Sequence, residues 1–185
     1  MSTLEIIAAL LGVVNVLLVV RRSIWNYPFG IAMVSLYFFV FRDAKLYSDA
    51  LLQIFFLLIN FYGWWAWSRA EQVDHGVAVG RMTSKSRLYW LVGTAIAIVL
   101  WGSGMARWTD AAAPFADAAI AALSVSAQIL QSFRRVESWV LWIAVDALAI
   151  FVFAWRGLSV TSALYALFLA LAIAGLIQWQ RKATA

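Results

Sequence analysis

The sequence predicts an all-α membrane protein with seven transmembrane helices, arranged as two parallel three-helix repeats joined by a linker helix (3+1+3). Three observations support this fold class. Hydrophobic residues make up 65% of the chain and the mean hydropathy is +0.86, whereas soluble domains are about 45–50% apolar. Only 12% of the residues are charged, which leaves too little polar surface to cover a water-soluble globule. The apolar residues form seven segments, and landmarks of the first three segments recur in the last three.

The predicted helices follow these segments, each near the roughly 20 residues that a helix needs to cross a bilayer. The segments are 4–20, 24–41, 47–67, 88–106, 114–133, 138–155 and 159–179. Most breaks are short, so consecutive helices are expected to be antiparallel neighbours; the exception is the charged stretch from Ser68 to Arg87. Arg21 and Arg22 follow the first segment instead of preceding it, which favours a retained helix over a signal peptide.

The basic residues predict the orientation. They cluster at the ends of the apolar segments, which favours topology signals over nucleic-acid binding. Of the 14 Lys and Arg residues, four fall on the side of the N-terminus and ten on the other side. Basic residues concentrate in cytoplasmic segments. The sequence therefore predicts a multi-pass protein of the plasma membrane, in bacteria the inner membrane, with the N-terminus outside and the C-terminus in the cytoplasm.

An internal repeat organises the chain. Ile7–Leu10 matches Ile120–Leu123 at an offset of 113 residues. Further matches are Arg21-Arg22 with Arg134-Arg135 at the same offset, and Trp25 with Trp139, Arg42 with Arg156 and Trp65 with Trp179 at an offset of 114. The predicted units are a first repeat over 1–67, a loop, linker helix and external loop over 68–113, and a second repeat over 114–185. One helix between the repeats makes them parallel, a plan typical of transporters with a substrate site where the repeats meet.

The sixth segment carries the strongest candidate site. Trp139, Trp142 and Asp146 are spaced i, i+3 and i+7 and therefore share one helix face. A carboxylate near the middle of a membrane span is costly unless it faces a wet cavity or a partner, so it indicates function. Two Trp rings beside it suit a flat cationic ring. The alternative is that the Trp residues pack helices or anchor the span at the interface while Asp146 pairs with another polar side chain.

Two further segments carry polar stripes. The third has Asp49, Gln53, Asn60 and Trp64, and the fifth has Asp117, Ser124, Gln128 and Gln131, all at near-helical spacing. Single amides in membrane helices are often contacts between helices, but three stripes in so small a bundle favour a shared internal pathway. Asp49 and Asp117 begin their helices, where the helix dipole stabilises a carboxylate. This explanation is at least as good as the alternative that the two carboxylates attract substrate. Pro28 and Gly30 mark either a helix start or a flexible gate.

The remaining motifs argue against a cofactor. The chain has no Cys, and its one histidine, His75, lies in the charged loop without a second ligand nearby, so no metal site is expected. Gly80–Ser86 resembles a phosphate loop, but Val79 and Ser84 occupy the two glycine positions of a Walker A motif. No nucleotide site and no cofactor are therefore predicted.

Several ordered motifs together resemble the PnuC family of vitamin transporters, best known for nicotinamide riboside. They are Asn26–Gly30, Leu46–Gln53 running into Tyr62–Trp67, Arg134–Trp142 with Asp146, Leu164-Tyr165 and Gln178-Trp179. The resemblance implies the fold of the SWEET sugar carriers and facilitated diffusion, with the substrate trapped by a separate cytoplasmic kinase. It also adds Tyr165 to the candidate site, whose predicted substrate-binding residues are Trp139, Trp142, Asp146, Gln53, Asn60, Trp64, Gln128 and Tyr165. Ser138 departs from the family pattern, in which many members have Asn.

The expected partners are the lipid bilayer and a small cationic aromatic vitamin or nucleoside, and a homo-oligomer is left open. Nicotinamide riboside ranks first and thiamine second, because Trp rings and a carboxylate suit a pyridinium and a thiazolium alike; neutral riboflavin is explained less well. The competing hypotheses are a proton-coupled carrier in which Asp146 titrates, a sensor or scaffold that binds without transporting, and a membrane-embedded enzyme. The sequence disfavours an enzyme, since it has no HExxH motif and no nucleophile with a paired base.

Overall fold

The computed structural model describes residues 3–43, 47–73, 75–109, 113–157 and 159–183, with the backbone alone for 47–49. The described residues form seven α-helices and one short β-hairpin. In chain order these are α1 Thr3–Val20, α2 Asn26–Asp43, α3 Tyr47–Ser68, β1 Gln72–Val73, β2 Gly76–Val77, α4 Ser84–Trp108, α5 Pro114–Ser132, α6 Glu137–Trp155 and α7 Ser159–Lys182. The ends of every predicted segment lie within four residues of the ends of one helix. The helix α2 begins at Asn26, two residues after the predicted start, with Pro28 in its first turn.

Five of the described helices are long and apolar enough to cross a membrane: α1, the Ala50–Ser68 part of α3, α4, α6 and α7. The helices α2 and α5 are not among these five. Polar side chains lower their hydropathy: Asn26 and Gln128 are buried within the protein, whereas Arg42 and Asp43 at the end of α2 are exposed. Inward-facing polar groups lower the mean hydropathy of a helix without exposing polar surface to lipid.

Two matching turns connect α1 to α2 and α5 to α6. Arg22 and Arg134 adopt left-handed conformations with φ of 57° and 59°. The N–H of Arg22 donates to the Val19 carbonyl (2.8 Å), and that of the next residue, Ser23, donates to the Leu18 carbonyl (2.9 Å). The corresponding hydrogen bonds at the second turn run from Arg134 to Gln131 and from Arg135 to Leu130, both 2.9 Å. Both α1 and α5 thus end in a Schellman motif, with arginine at the position that glycine usually occupies.

The contacts after each turn recur at an offset of 112 residues. The rings of Tyr27 and Trp67 pack edge-on, with their centroids 5.4 Å apart and an interplanar angle of 88°. The rings of Trp139 and Trp179 pack in the same way, with a centroid distance of 5.5 Å and an angle of 89°. Behind the first pair Gly63 abuts Tyr27, and behind the second Gly175 abuts Trp139. This spacing is one or two residues shorter than the offset that the sequence comparison favours. The reason is that matching by residue identity pairs Trp with Trp, whereas the packing pairs Tyr27 with Trp139.

Helix packing divides the bundle into two groups. In one group α2 packs against α1 and α3, and in the other α6 packs against α5 and α7, while α4 packs against α5. The groups meet where α1 packs on α7 and α3 packs on α5. At one end of the bundle this junction is aromatic. The ring centroids of Trp67 and Trp179 lie 6.0 Å apart, and the Trp179 indole N–H donates to the Val19 carbonyl (3.1 Å).

The segment between α3 and α4 is folded onto this end of the bundle. Its hairpin buries Val77 completely, and Val79 is 1% exposed. The Val77 N–H donates to the Arg22 carbonyl (3.2 Å), and the Gly80 N–H donates to the Arg134 carbonyl (3.0 Å). The segment therefore ties together the two arginine turns. His75 is exposed at the tip of the hairpin with φ of 63°.

Candidate functional site

The three predicted residues of α6 occupy different surroundings. Trp139, in the first turn of the helix, is 1% exposed and is packed between Trp179 and the backbone at Gly175. Its indole N–H is buried without a hydrogen-bond partner. Trp142 is half-buried one turn further along, and Asp146 is 4% exposed. Trp139 therefore belongs to the aromatic junction, whereas Trp142 and Asp146 lie deeper in the bundle.

A hydrogen bond orients Trp142. Its indole N–H donates to the side-chain oxygen of Gln131 on α5 over 2.8 Å. Both partners are at least half-buried, so the bond fixes the ring where water does not compete strongly for it. The sequence placed Gln131 on a polar stripe without identifying this partner, because the pairing depends on how α5 packs against α6.

The polar stripe of α5 faces the interior as predicted. Ser124, Gln128 and Gln131 are each 8–9% exposed. The helices α5 and α6 are antiparallel neighbours, and Gln131 sits opposite Trp142. Gln128 is about one helical turn from Gln131, and Asp146 is about one turn from Trp142 in the same direction across the bundle. Gln128 and Asp146 therefore lie at similar depth.

Asp146 is the most unusual group of this region. Asp146 lies in the middle of an apolar helix and is 4% exposed. Among the residues that the structure describes, no hydrogen bond or ion pair reaches its carboxylate. Burying a charged group without a partner is costly. Asp146 is thus a buried acid whose carboxylate has no partner among the described residues.

The first helix group brings a second set of amides together. Gly30 on α2 lies between Asn15 of α1 and Asn60 of α3: a Cβ built at Gly30 would be 2.8 Å from the Asn15 amide nitrogen and 2.9 Å from the Asn60 amide oxygen. Asn15 donates to the Asn26 carbonyl (2.7 Å), and Asn60 donates to the Phe56 carbonyl (2.8 Å). Asn60 was predicted for the site but Asn15 was not, since only the tertiary packing shows that they converge.

Gly30 and Trp142 are 112 residues apart, as are Gln53 and Tyr165, which is also the spacing between the two edge-on ring pairs. Gln53 is 9% exposed and lines a small cavity of about 200 Å³ with side chains of α2 and α3. Tyr165 is half-buried, with its ring stacked on Phe153 at 5.3 Å.

Trp64 lies apart from the other predicted residues. It is 38% exposed, whereas Asn60, one turn earlier on α3, is 5% exposed. The side chain of Asp49 lies outside the described residues. Of the polar stripe predicted along α3, Gln53 and Asn60 are therefore buried, whereas Trp64 is exposed.

Asp117 has a specific partner at the other end of the bundle. The Arg156 guanidinium, at the end of α6, approaches both carboxylate oxygens of Asp117 at 2.8 and 2.9 Å. Both side chains are about a quarter exposed, so the pair is partly desolvated. The sequence offered the helix start and attraction of a substrate as explanations for this carboxylate, and it did not identify Arg156 as a partner. Within the described part of the chain, no group of three His, Asp or Glu side chains is placed to bind a metal ion.

Comparison with known proteins agrees with this architecture. A family model described as nicotinamide mononucleotide transporter matches residues 2–181. The nicotinamide riboside transporter PnuC of Escherichia coli is 27% identical over 208 residues, covering 99% of this chain and 87% of that protein. The riboflavin/roseoflavin transporter RibM of Streptomyces davaonensis is 26% identical, covering 95% of this chain and 83% of its own.

A crystal structure of the vitamin B3 transporter PnuC superposes with a TM-score of 0.80 at 27% identity, covering 96% of this chain and 80% of that one. The family model spans nearly the whole chain and the match extends to the fold. The chain therefore belongs to the nicotinamide mononucleotide transporter family, a family of membrane transporters and not of enzymes, as the sequence motifs predicted.

Proposed function

We propose that this protein carries nicotinamide riboside across the membrane by facilitated diffusion. The observation that carries the proposal is Asp146, a buried carboxylate without a protein partner among the described residues, beside the oriented ring of Trp142. A pyridinium cation is flat, aromatic and positively charged. It would take its counter-charge from Asp146 and stack on Trp142, each interaction being strengthened by the low dielectric of the interior.

The path we propose lies between two parallel three-helix repeats, α1–α3 and α5–α7, with α4 as the linker helix. Exchanging the repeats turns the α1–α7 contact into the α5–α3 contact, and both of these contacts are present. The repeated turns and ring pairs at an offset of 112 support the same two-fold relation. All seven helices would then cross the membrane, with α2 and α5 directing their polar residues toward the path.

The buried amides suit the ribose part of the substrate. Gln128 lies at the depth of Asp146, while Asn60 and Gln53 line the matching region of the first repeat. Amide side chains both donate and accept, so they can exchange hydrogen bonds with hydroxyl groups. Trp139 would support the site from behind through the packing of α6 on α7, and Tyr165 would extend it on α7. Trp64, which is 38% exposed, would lie at the edge of this set.

The orientation we propose follows the positive-inside rule. Arg22, Arg81 and Arg134 lie at one end of the bundle, where they donate to the carbonyls of Val77, Gln180 and Ala66. We assign this end, which carries the folded segment between α3 and α4, to the cytoplasm of a bacterial cell together with the C-terminus. The substrate would then be trapped by phosphorylation by a separate cytoplasmic kinase.

A proton-coupled carrier is the second candidate, and the same carboxylate favours it. An unpaired acid inside the membrane can bind a proton on one side and release it on the other. Thiamine is the alternative substrate, because its thiazolium is also a flat cationic ring. Riboflavin should be tested as well, since the similar protein RibM is described as a riboflavin/roseoflavin transporter.

Uptake into liposomes that contain only this protein tests these proposals. Labelled nicotinamide riboside should equilibrate and show counterflow without any ion gradient, faster than thiamine or riboflavin. Asp146→Asn should lower the affinity for nicotinamide riboside about tenfold or more, because a charged interaction worth about 1.5–3 kcal/mol is lost. Asp43→Asn is the matched control, since Asp43 is an exposed carboxylate paired with Arg42 at the end of α2.

Accumulation of unmodified substrate above equilibrium under a proton gradient would reject facilitated diffusion in favour of coupling. Wild-type affinity in a folded Asp146→Asn variant would remove Asp146 from the site.

A further inference from the structure

A second cavity lies at the end of the bundle that carries the folded segment, away from Asp146. Its volume is about 550 Å³, within the range of cavities that bind small molecules. It is formed by the end of α3, the start of α4, the end of α5 and the segment between α3 and α4. The lining residues that matter here are Arg69, Arg81, Arg134, Arg135, Tyr62, Trp65, Trp90 and Phe133.

Four of these lining residues are arginines, and they leave most of their donors free. Each guanidinium has five N–H groups, and the contacts they make are with a ring or with backbone carbonyls. The Arg69 guanidinium lies 4.9 Å from the Trp65 ring centroid, while Arg81 donates to Gln180, Arg134 to Ala66 and Arg135 to Arg81 at 3.1–3.4 Å. These bonds hold three of the arginines in place without neutralising their charge.

No acidic side chain is found among the described residues that line the cavity. The carboxylate of Glu137 lies next to the lining residue Met82 and is already engaged. It accepts the Met82 N–H at 3.1 Å and pairs with Arg87 at 2.8 Å. Four positive charges in one concave site without a counter-charge create a strong potential for an anion.

Aromatic rings form one wall of the cavity. Tyr62 and Phe133 meet edge-on at 5.9 Å across the α3–α5 junction, and Tyr62 also contacts Trp65 at 5.9 Å. All three rings are 39–53% exposed. Both α3 and α4 pack against α5, and the cavity opens between the end of α3 and the start of α4. The ends of membrane helices lie at the level of the lipid headgroups.

We propose that this cavity binds the phosphate group of an organic phosphate whose apolar or aromatic part rests on the ring wall. Arginine forks bind phosphate through paired hydrogen bonds and are preferred where a phosphate is recognised. Two sources share this chemistry: the headgroup of an anionic phospholipid, which basic pockets between membrane helices bind, and a water-soluble aromatic phosphate. None of the residues proposed for the transport path lines this cavity, and the proposal does not depend on the identity of the transported substrate.

Native mass spectrometry of the purified full chain in detergent tests the proposal in two arms. The first compares retention of dioleoylphosphatidylglycerol with that of dioleoylphosphatidylcholine, and the second measures binding of phenyl phosphate. The test variant is Arg69→Gln, because Arg69 lies over the Trp65 ring and, among the described residues, donates no hydrogen bond to the backbone. Arg81→Gln is the second variant. Arg21→Gln is the control, an exposed arginine at the end of α1, on the side assigned to the cytoplasm, that does not line the cavity.

The expected result is preferential binding of at least one phosphate ligand, weakened about tenfold in Arg69→Gln and Arg81→Gln and unchanged in Arg21→Gln. Loss confined to phosphatidylglycerol identifies the lipid as the source, and loss confined to phenyl phosphate identifies a soluble ligand. Equal binding by wild type and both test variants, or an equal loss in Arg21→Gln, would overturn the proposal.

Discussion

Gly175→Ala should destabilise the protein, because the close approach of α6 to α7 leaves no room for a methyl group. A Cβ at this position would lie 2.6 Å from three carbon atoms of the Trp139 ring. Carbon atoms pack at about 3.5–4.0 Å, so the ring would have to retreat by about 1 Å. Trp179 meets Trp139 edge-on at 5.5 Å and limits this movement.

Overpacking of this kind costs about 1–3 kcal/mol, which in a chain of this size lowers the melting temperature by about 2–4 °C per kcal/mol. Gly93→Ala is the matched control, since no atom lies within 4 Å of a Cβ built there on α4. Replacing an unobstructed helical glycine with alanine stabilises a helix by about 0.5–1 kcal/mol.

Fluorescence-detected thermal unfolding in one detergent would measure both variants. The double variant Gly175→Ala/Trp139→Phe should recover part of the loss, because the smaller ring gives the methyl group space. If Gly175→Ala melts at or above the wild-type temperature while Gly93→Ala behaves as expected, Trp139 does not pack against α7 as described, and the proposed support of the site by this contact fails.

Three further predictions concern the site and its surroundings. Trp142→Ala should weaken nicotinamide riboside binding by about 1–3 kcal/mol, measured by calorimetry, since it removes a stacking surface and a cation–π partner; wild-type affinity would exclude the ring from the site. Ser84→Cys, at the exposed start of α4, should resist an impermeant thiol reagent in intact cells and react after permeabilisation; labelling in intact cells would reverse the proposed orientation. Glu137→Gln should speed hydrogen exchange at Met82, because a charged acceptor of this N–H becomes neutral; unchanged exchange would show that Glu137 does not hold the segment.

The all-α membrane class, the seven helices of the described residues and the family were predictable from the sequence alone. Apolar segments of membrane-spanning length recur at regular intervals, and hydropathy responds to local composition, so no tertiary information is required to locate them. The spacing of Trp142 and Asp146 is equally local, since residues four apart on a helix lie on one face. The polar stripe of α5 was predicted in the same way, and three of its four members, Ser124, Gln128 and Gln131, are buried.

Tertiary structure decided which residues meet. The hydrogen bond from Trp142 to Gln131, the approach of Asn15 and Asn60 around Gly30, and the pairing of Arg156 with Asp117 all join different helices. The 112-residue spacing of equivalent contacts also escaped the sequence comparison, because packing conserves the place of a ring and not whether it is Tyr or Trp. A one-dimensional pattern fixes which face of a helix a side chain occupies, but the partner across that face depends on helix rotation and depth, which only the packed bundle determines.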